Sequence, residues 1–451
     1  MSRNTRFAAR YALHAGRHLL LTLLMCLATA FYAQTDSVQP LTLEEAIRMA
    51  LKGNRALQIA QRTLEKARER VSEARGAGNL QIQSSSTYTR FDRVATARFG
   101  PQEVRLGNIE NRVAVLTLTQ PVDISGIIRT GVRAASLGYE LTLLDYERTR
   151  NELILQVTNA YQNVARAESF VRVAEEALKN AQERLRITRT QVDTGVASRF
   201  DLLRAETQVA QNEQALLNAR NQVEIAKAAL NNLLGRDLNA PVQVVLPDSL
   251  PAMEQELDAL IHEAYARRPE LRAAERNREL ARVNIDSARR GNLPTLALNG
   301  QWNFNLNTSV FNPRRQTFTA TAILSFPVFD GGITRARVEQ AREDLQIAEI
   351  NLQQVKEGIA LEVRTAYLNL KDAQKRLEVA RKGLEQATEA LRLARIRYEA
   401  GVSPQLEISD AELAYTQAQT NLINAQFDYL NAYAALQKAV GTIGERYAAL
   451  F

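Results

Sequence analysis

Hydrophobic residues recur at alternating steps of three and four from Leu370 to Tyr398, through Leu377, Leu384 and Leu391, with Ala373, Ala380, Ala387 and Ala394 between them. This unbroken heptad seam predicts a helix that offers one stripe to a partner. Beyond Gly401-Val402-Ser403-Pro404 the spacing resumes at Ile408 and Ala411 and continues through Tyr415, Leu422, Tyr429 and Leu436 to Ala439. Two seams joined by a short Gly/Pro turn predict an antiparallel helical hairpin. Large side chains alternating with alanine let helices approach closely, so this surface wants helical partners.

An earlier stretch repeats the pattern. Tyr161, Gly195, Asn218 and Gly235 stand in the contexts of Tyr367, Gly401, Asn424 and Gly441, each pair 206 positions apart (401 − 195 = 206). The first seam runs from Val164 through Val171, Leu178 and Leu185 to Val192, then Leu202, Ala205 and Val209. Upstream, a helical pattern from Leu43 to Arg75 has its partner from Leu257 to Ala288, at an offset of 214 (271 − 57 = 214). The chain therefore reads as an internal duplication, 34–250 and 251–451. The change of offset gives the first copy about eight extra residues (214 − 206 = 8) between Arg90 and Arg112, where a loop is expected.

Ahead of each long seam the period changes to two. Leu296, Leu298, Trp302, Phe304 and Leu306 alternate with Thr295, Asn299, Gln301, Asn303 and Asn305, and Phe318, Ala320, Ala322, Leu324 and Phe326 follow with threonines between, up to Pro327. Weaker equivalents run from Leu80 to Phe91 and from Val113 to Gln120, stopped at Pro121. These patterns predict β-hairpins over 80–121 and 294–327, followed by helical hairpins over 127–235 and 333–440. Strands of about ten residues suit a tilted membrane barrel, yet four are too few, since the smallest membrane barrels have eight. Either a small soluble sheet forms, or several chains share one barrel. The helices over about 127–193 and 333–400 favour the second, because ~100 Å of helix at 1.5 Å per residue has little use in a soluble domain. The expected fold is mixed α and β, mostly α.

Residues 1–33 combine Arg3, Arg6, Arg10 and Arg17 with an apolar run from Leu19 to Ala30 and a small-residue end, which is the pattern of a signal peptide. That run is shorter than the ~20 residues of a spanning helix. Cys26, the only cysteine, lies inside it, so the mature chain would have no disulfide. Met25 precedes Cys26, where a lipoprotein cysteine follows a small residue; the cleavage site and lipidation stay open. The formal charge of +7 does not signal nucleic-acid binding, because acids and bases are interspersed along helix faces. An enzyme is not expected: downstream of the leader there is one histidine, His262, in an ordinary helical pattern, and no cofactor loop or metal-spaced cluster.

The ordered combination of the duplication, the strand-end motif Phe326-Pro327-Val328-Phe329-Asp330-Gly331-Gly332, and the turns Tyr398-Glu399-Ala400-Gly401 and Gly195-Val196 resembles the TolC-like outer-membrane efflux proteins. The resemblance covers the chain from Leu41 to Gly441. It implies a homotrimer in the outer membrane of a Gram-negative-type bacterium, pooling strands into one 12-stranded barrel that a helical barrel continues across the periplasm. It also implies a passive exit duct, without cofactors, that docks with a periplasmic adaptor and an inner-membrane transporter and contacts outer-membrane lipid.

By the same resemblance Glu407 and Asp410, three apart on one helix face, would line the entrance as a carboxylate ring. Tyr398 and Asp201 would bond as a latch, Ser403 stands where a second latch would carry arginine, and Gly195-Val196 and Gly401-Val402 would be the adaptor-docking tips. Three further readings stay open: acids on a solvated face, a duct for secreted polypeptides, and a non-conducting coiled-coil scaffold.

Overall fold

The computed structural model describes residues 40–245, 250–252, 255–307, 314–400 and 402–447. The leader with Cys26, and Gly401, lie outside them. In chain order the elements are α1 (Leu43–Gly53), α2 (Arg55–Gly76), β1 (Gln81–Arg90), β2 (Thr96–Phe99), β3 (Gln102–Arg105), β4 (Glu110–Val122), α3 (Ile127–Asp193), α4 (Arg199–Leu234), α5 (Leu257–Arg267), α6 (Pro269–Arg289), β5 (Thr295–Asn305), β6 (Gln316–Ser325), α7 (Ile333–Glu399), α8 (Gln405–Val440) and the short α9 (Ile443–Arg446). Helices α3 and α7 have 67 residues each, and α4 and α8 have 36 each. Their starts are 206 positions apart (333 − 127 and 405 − 199).

Local chemistry explains the boundaries. Thr42 and Glu45 close a capping box at the start of α1, and the Asn54 side chain accepts the Ala56 and Leu57 amides at the start of α2. Both strand-to-helix joints use a left-handed glycine as N-cap, Gly126 (φ 74°) and Gly332 (φ 88°). Because glycine brings no capping side chain, an upstream aspartate supplies one. Asp123 accepts the Ile128 and Arg129 amides, each at 3.0 Å, and Asp330 accepts those of Gly332 at 3.0 Å and Thr334 at 2.8 Å. This is the physical content of the Asp-Gly-Gly motif.

The four long strands form one antiparallel sheet in the order β1-β4-β5-β6. Register aligns their apolar positions: Ile82 faces Leu118, Leu116 faces Trp302, and Trp302 faces Phe318. Trp302 stacks on Phe304 at 5.6 Å and meets Phe318 edge-on at 6.1 Å. Among the described residues nothing covers this face, and Ile82, Trp302, Phe318 and Leu324 are all exposed. The loop expected between Arg90 and Arg112 instead contains a ribbon, β2 paired with β3, turning at Gly100 (φ 64°). Four-residue strands are too short to show a period-two signal.

Two cores sit where the short helices clamp the long ones. Ile47 and Leu57 of α1 and α2 pack on Ile154, Val157 and Val164 of α3 and Leu230 of α4. Leu260, Ala264 and Leu271 of α5 and α6 pack on Val363 and Leu370 of α7 and Leu436 of α8. Tyr161, buried, ties Leu41 and the segment at Val245 to the first core: its hydroxyl lies 2.8 Å from the Leu41 carbonyl and accepts the Val245 amide at 2.8 Å. His262 is exposed on α5.

Candidate channel entrance

Below the clamps the helical hairpins α3–α4 and α7–α8 run side by side to two turns. After α3 the Val196 amide donates to the Gln191 carbonyl at 2.7 Å and Gly195 to Val192 at 3.0 Å, a Schellman closure with Gly195 at φ 77°. After α7 the Val402 amide donates to Arg397 at 3.1 Å in the same way. Val196 and Val402 are 77% and 70% exposed, so each turn presents a bare apolar tip.

The entrances to the returning helices differ. Ser198 and Asp201 form a capping box, with Ser198 Oγ 2.6 Å from the Asp201 carboxylate. Pro404 occupies the equivalent place and offers no side-chain cap. One turn on, Asp410 is exposed and Glu407 is half-buried, its Oε1 3.4 Å from Arg397 Nε. Arg397 therefore offsets part of the Glu407 charge, leaving Asp410 as the freer of the two carboxylates.

Tyr398 and Asp201 are not paired within the chain. The Asp201 carboxylate is drawn to the amide and hydroxyl of Ser198, and the Tyr398 hydroxyl donates to Gln191 Oε1 at 3.0 Å instead. That bond links α7 to α3 near the tip. Gln405 Nε2 adds a weaker link to the buried Thr188 hydroxyl at 3.4 Å.

The strongest link between the hairpins has no counterpart in the sequence reading. Arg184 of α3 is almost wholly buried, with 8% of its side chain exposed, and forms an ion pair with Glu412 of α8, itself 18% exposed. Its Nη1 also donates to Ser409 Oγ at 2.6 Å. Burial pushes the guanidinium below its ordinary value, yet arginine stays charged at physiological pH, so the desolvated cation must be met by a carboxylate and a hydroxyl. Further up, Gln419 Nε2 donates to Glu176 Oε2 at 3.0 Å. Arg184 was visible as a break in the repeat: 206 positions on stands Ala390, and the counterpart of Ser409 is Leu203 (184 + 206 = 390, 409 − 206 = 203).

The site is thus the joined tips of two hairpins, tied across α3, α7 and α8 by Arg184, Glu412, Tyr398 and Gln191. It defines a helical-barrel channel subunit that carries a sheet for the membrane. The chain belongs to the outer membrane efflux protein family, whose sequence model matches residues 46–236 and 260–442. It is 26% identical over 409 residues to the pyoverdine export outer membrane protein OpmQ of Pseudomonas putida, covering 87% of this chain and 80% of that one. It is 25% identical over 347 residues to the alkaline protease secretion protein AprF of Pseudomonas aeruginosa, covering 74% of this chain and 71% of that one. Its fold matches the outer-membrane channel OprN with a TM-score of 0.74 at 23% identity, over 89% of this chain and 90% of that one.

Proposed function

We propose that three copies of this chain form one passive outer-membrane duct, each giving four strands to a barrel of twelve (3 × 4 = 12) and two hairpins to a helical barrel across the periplasm. The observation that carries this reading is the sheet itself. Its apolar face is exposed, and its edge strands β1 and β6 have no outer partner among the described residues. Unpaired edges are not tolerated in hydrocarbon, so β6 of one copy must meet β1 of the next until the ring closes. The apolar residues Ile347, Ile350 and Val379, exposed on α7, would be covered by a neighbouring copy in the same assembly.

The duct docks with a periplasmic adaptor and an inner-membrane transporter and exports small toxic compounds, as an exit path without chemistry of its own. Gly195-Val196 and Gly401-Val402 are the tips the adaptor meets. Glu407 and Asp410 line the entrance, and Tyr398 latches it through Gln191, with Asp201 fixing the neighbouring turn. A second reading, export of a polypeptide, is favoured by the likeness to the alkaline protease secretion protein. Purification tests the assembly: outer-membrane fractions should release the protein only into detergent, as a particle of three chains that conducts ions across planar bilayers. A detergent-free monomer, or a trimer that does not conduct, would overturn the reading.

A further inference from the structure

We propose that the loop end of the sheet's apolar face, at Arg90 and Arg112, binds the phosphate groups of a phosphorylated glycolipid in the outer leaflet. The inference rests on the barrel reading above, which puts this face in lipid and the β1–β4 connection outside the cell.

Register fixes which side chains share the face. Residues directly opposite in an antiparallel pair point the same way, and Tyr88 lies opposite Arg112 while Arg90 lies opposite Glu110. All four continue the parity of Ile82, Leu116, Trp302 and Phe318. The Arg112 guanidinium lies 5.5 Å from the Tyr88 ring centroid, which confirms the shared face and props the cation over an aromatic.

Height along the sheet places these cations at the membrane boundary. From Leu296 to Leu306 the apolar side of β5 spans ten residue steps (306 − 296 = 10), about 34 Å along the strand and about 24–28 Å once tilted by 35–45°, against a hydrocarbon band of ~25 Å. The Leu306 amide donates to the Arg112 carbonyl at 2.9 Å. Arg112 therefore stands where the apolar band ends, and Arg90 stands two residue steps further outward (90 − 88 = 2).

Charge then selects the ligand. Glu110 meets Arg112 at 3.2 Å, and Arg90 makes no ion pair among the described residues. Two guanidiniums thus stand beside one carboxylate, which only Arg112 engages, a surplus of one positive charge at this spot (2 − 1 = 1) in each chain. Guanidinium pairs bidentately with phosphate, and inward of Arg112 the same face carries Ala114 and Leu116, with the exposed Trp302 opposite Leu116 and the exposed Phe318 opposite Trp302, an apolar wall for acyl chains. A ligand that uses both needs a phosphate head and fatty tails, which commits the site to lipid over free phosphate.

Trp302, the only tryptophan, reports on this wall. The assembled full-length protein in detergent should be titrated, by its fluorescence, with lipid A bearing two phosphates, with its dephosphorylated counterpart, and with inorganic phosphate. The phosphorylated lipid should half-saturate at a concentration at least ~10-fold lower than the dephosphorylated one, and inorganic phosphate should change nothing. The R90Q/R112Q variant should bind both lipids alike. Equal half-saturation of the two lipids in wild type, a preference that survives in R90Q/R112Q, or saturation by inorganic phosphate would each overturn the site. Flotation of the same protein with liposomes separates the two readings: protein that fails to insert overturns the barrel and the lipid site together, whereas protein that inserts without discriminating overturns the lipid site alone.

Discussion

Arg184 is the residue whose loss should most alter the entrance. Arg184→Met keeps the volume of the side chain against α8 but leaves Glu412, 18% exposed, without its cation and Ser409 without its donor. Removing one partner of a buried ion pair costs about 3–5 kcal/mol. The lower end applies here, because a carboxylate with some exposure can turn towards water. At ~3 kcal/mol the balance between packed and splayed hairpins shifts about 150-fold in each chain. The clamps at the other end of the helices are untouched, so the fold should survive while the tips loosen. Single-channel recording of the reconstituted protein should show a higher conductance or open probability for R184M than for wild type. The double variant R184M/E412L removes both charges and fills the site with apolar groups, which is commonly neutral or stabilising for a buried pair, and should return the channel towards its resting behaviour. Wild-type conductance in R184M, or no recovery in the double variant, would refute the idea that this pair holds the hairpins together.

Other outcomes follow from the same geometry. At Gly195, φ is 77° and a side chain would meet only open space, so Gly195→Val should cost about 1–2 kcal/mol in backbone strain, leave trimers intact and abolish export; full export would remove the tip from the mechanism. Replacing Glu407 and Asp410 by alanine should weaken cation selectivity and relieve block by a trivalent cation, with Asp410→Ala alone giving most of the effect because Arg397 already offsets Glu407; equal block in both proteins would make these acids a solvated face only. The carboxyls of Asp123 and Asp330 lie below the ordinary value of 3.8: burial pushes Asp123 up but bonds from Arg129 and Ile128 outweigh it, and Asp330 is lowered by bonds from Thr334. A depressed carboxyl stabilises the fold above its unfolded value and loses that contribution as pH falls through the folded one. Thermal unfolding followed below about pH 4 should therefore drop more steeply in wild type than in D123N/D330N, and superimposable profiles would show that these caps carry no stability.

Periodicity was a reliable guide wherever one face of an element is buried against a regular partner. The seam through Leu370 and Leu377 and the alternation through Leu298 and Trp302 needed nothing but spacing, because a helix or strand must keep one stripe on one side. The ribbon at Thr96–Phe99 and Gln102–Arg105 betrayed itself only as excess length, since strands of four residues are too short to carry a pattern. At the entrance, spacing told which turn Tyr398 belongs to but not which neighbour it faces. That depends on how α3 and α7 are rotated about their axes, and the rotation is set by packing across 207 positions of chain. Arg184 escaped for a related reason: a single arginine beside a seam looks like surface until the helix that covers it is known. Its mismatch with Ala390, and that of Ser409 with Leu203, were the visible signs.

The long helices also make the entrance a lever. From the clamp near Leu234 to the turn at Ser198, α4 runs 36 residues, about 54 Å of nearly stiff rod. A rotation of only about 5° at the clamped end would carry the tip sideways by roughly 4–5 Å over that length, more than the width of a water molecule. No residue along the rod needs to bend for this, and none of the backbone hydrogen bonds of the helix needs to break. Whatever grips the chain at its tips therefore works with a mechanical advantage: a displacement of several ångströms made there reaches the clamped cores as a tilt too small to disturb their packing.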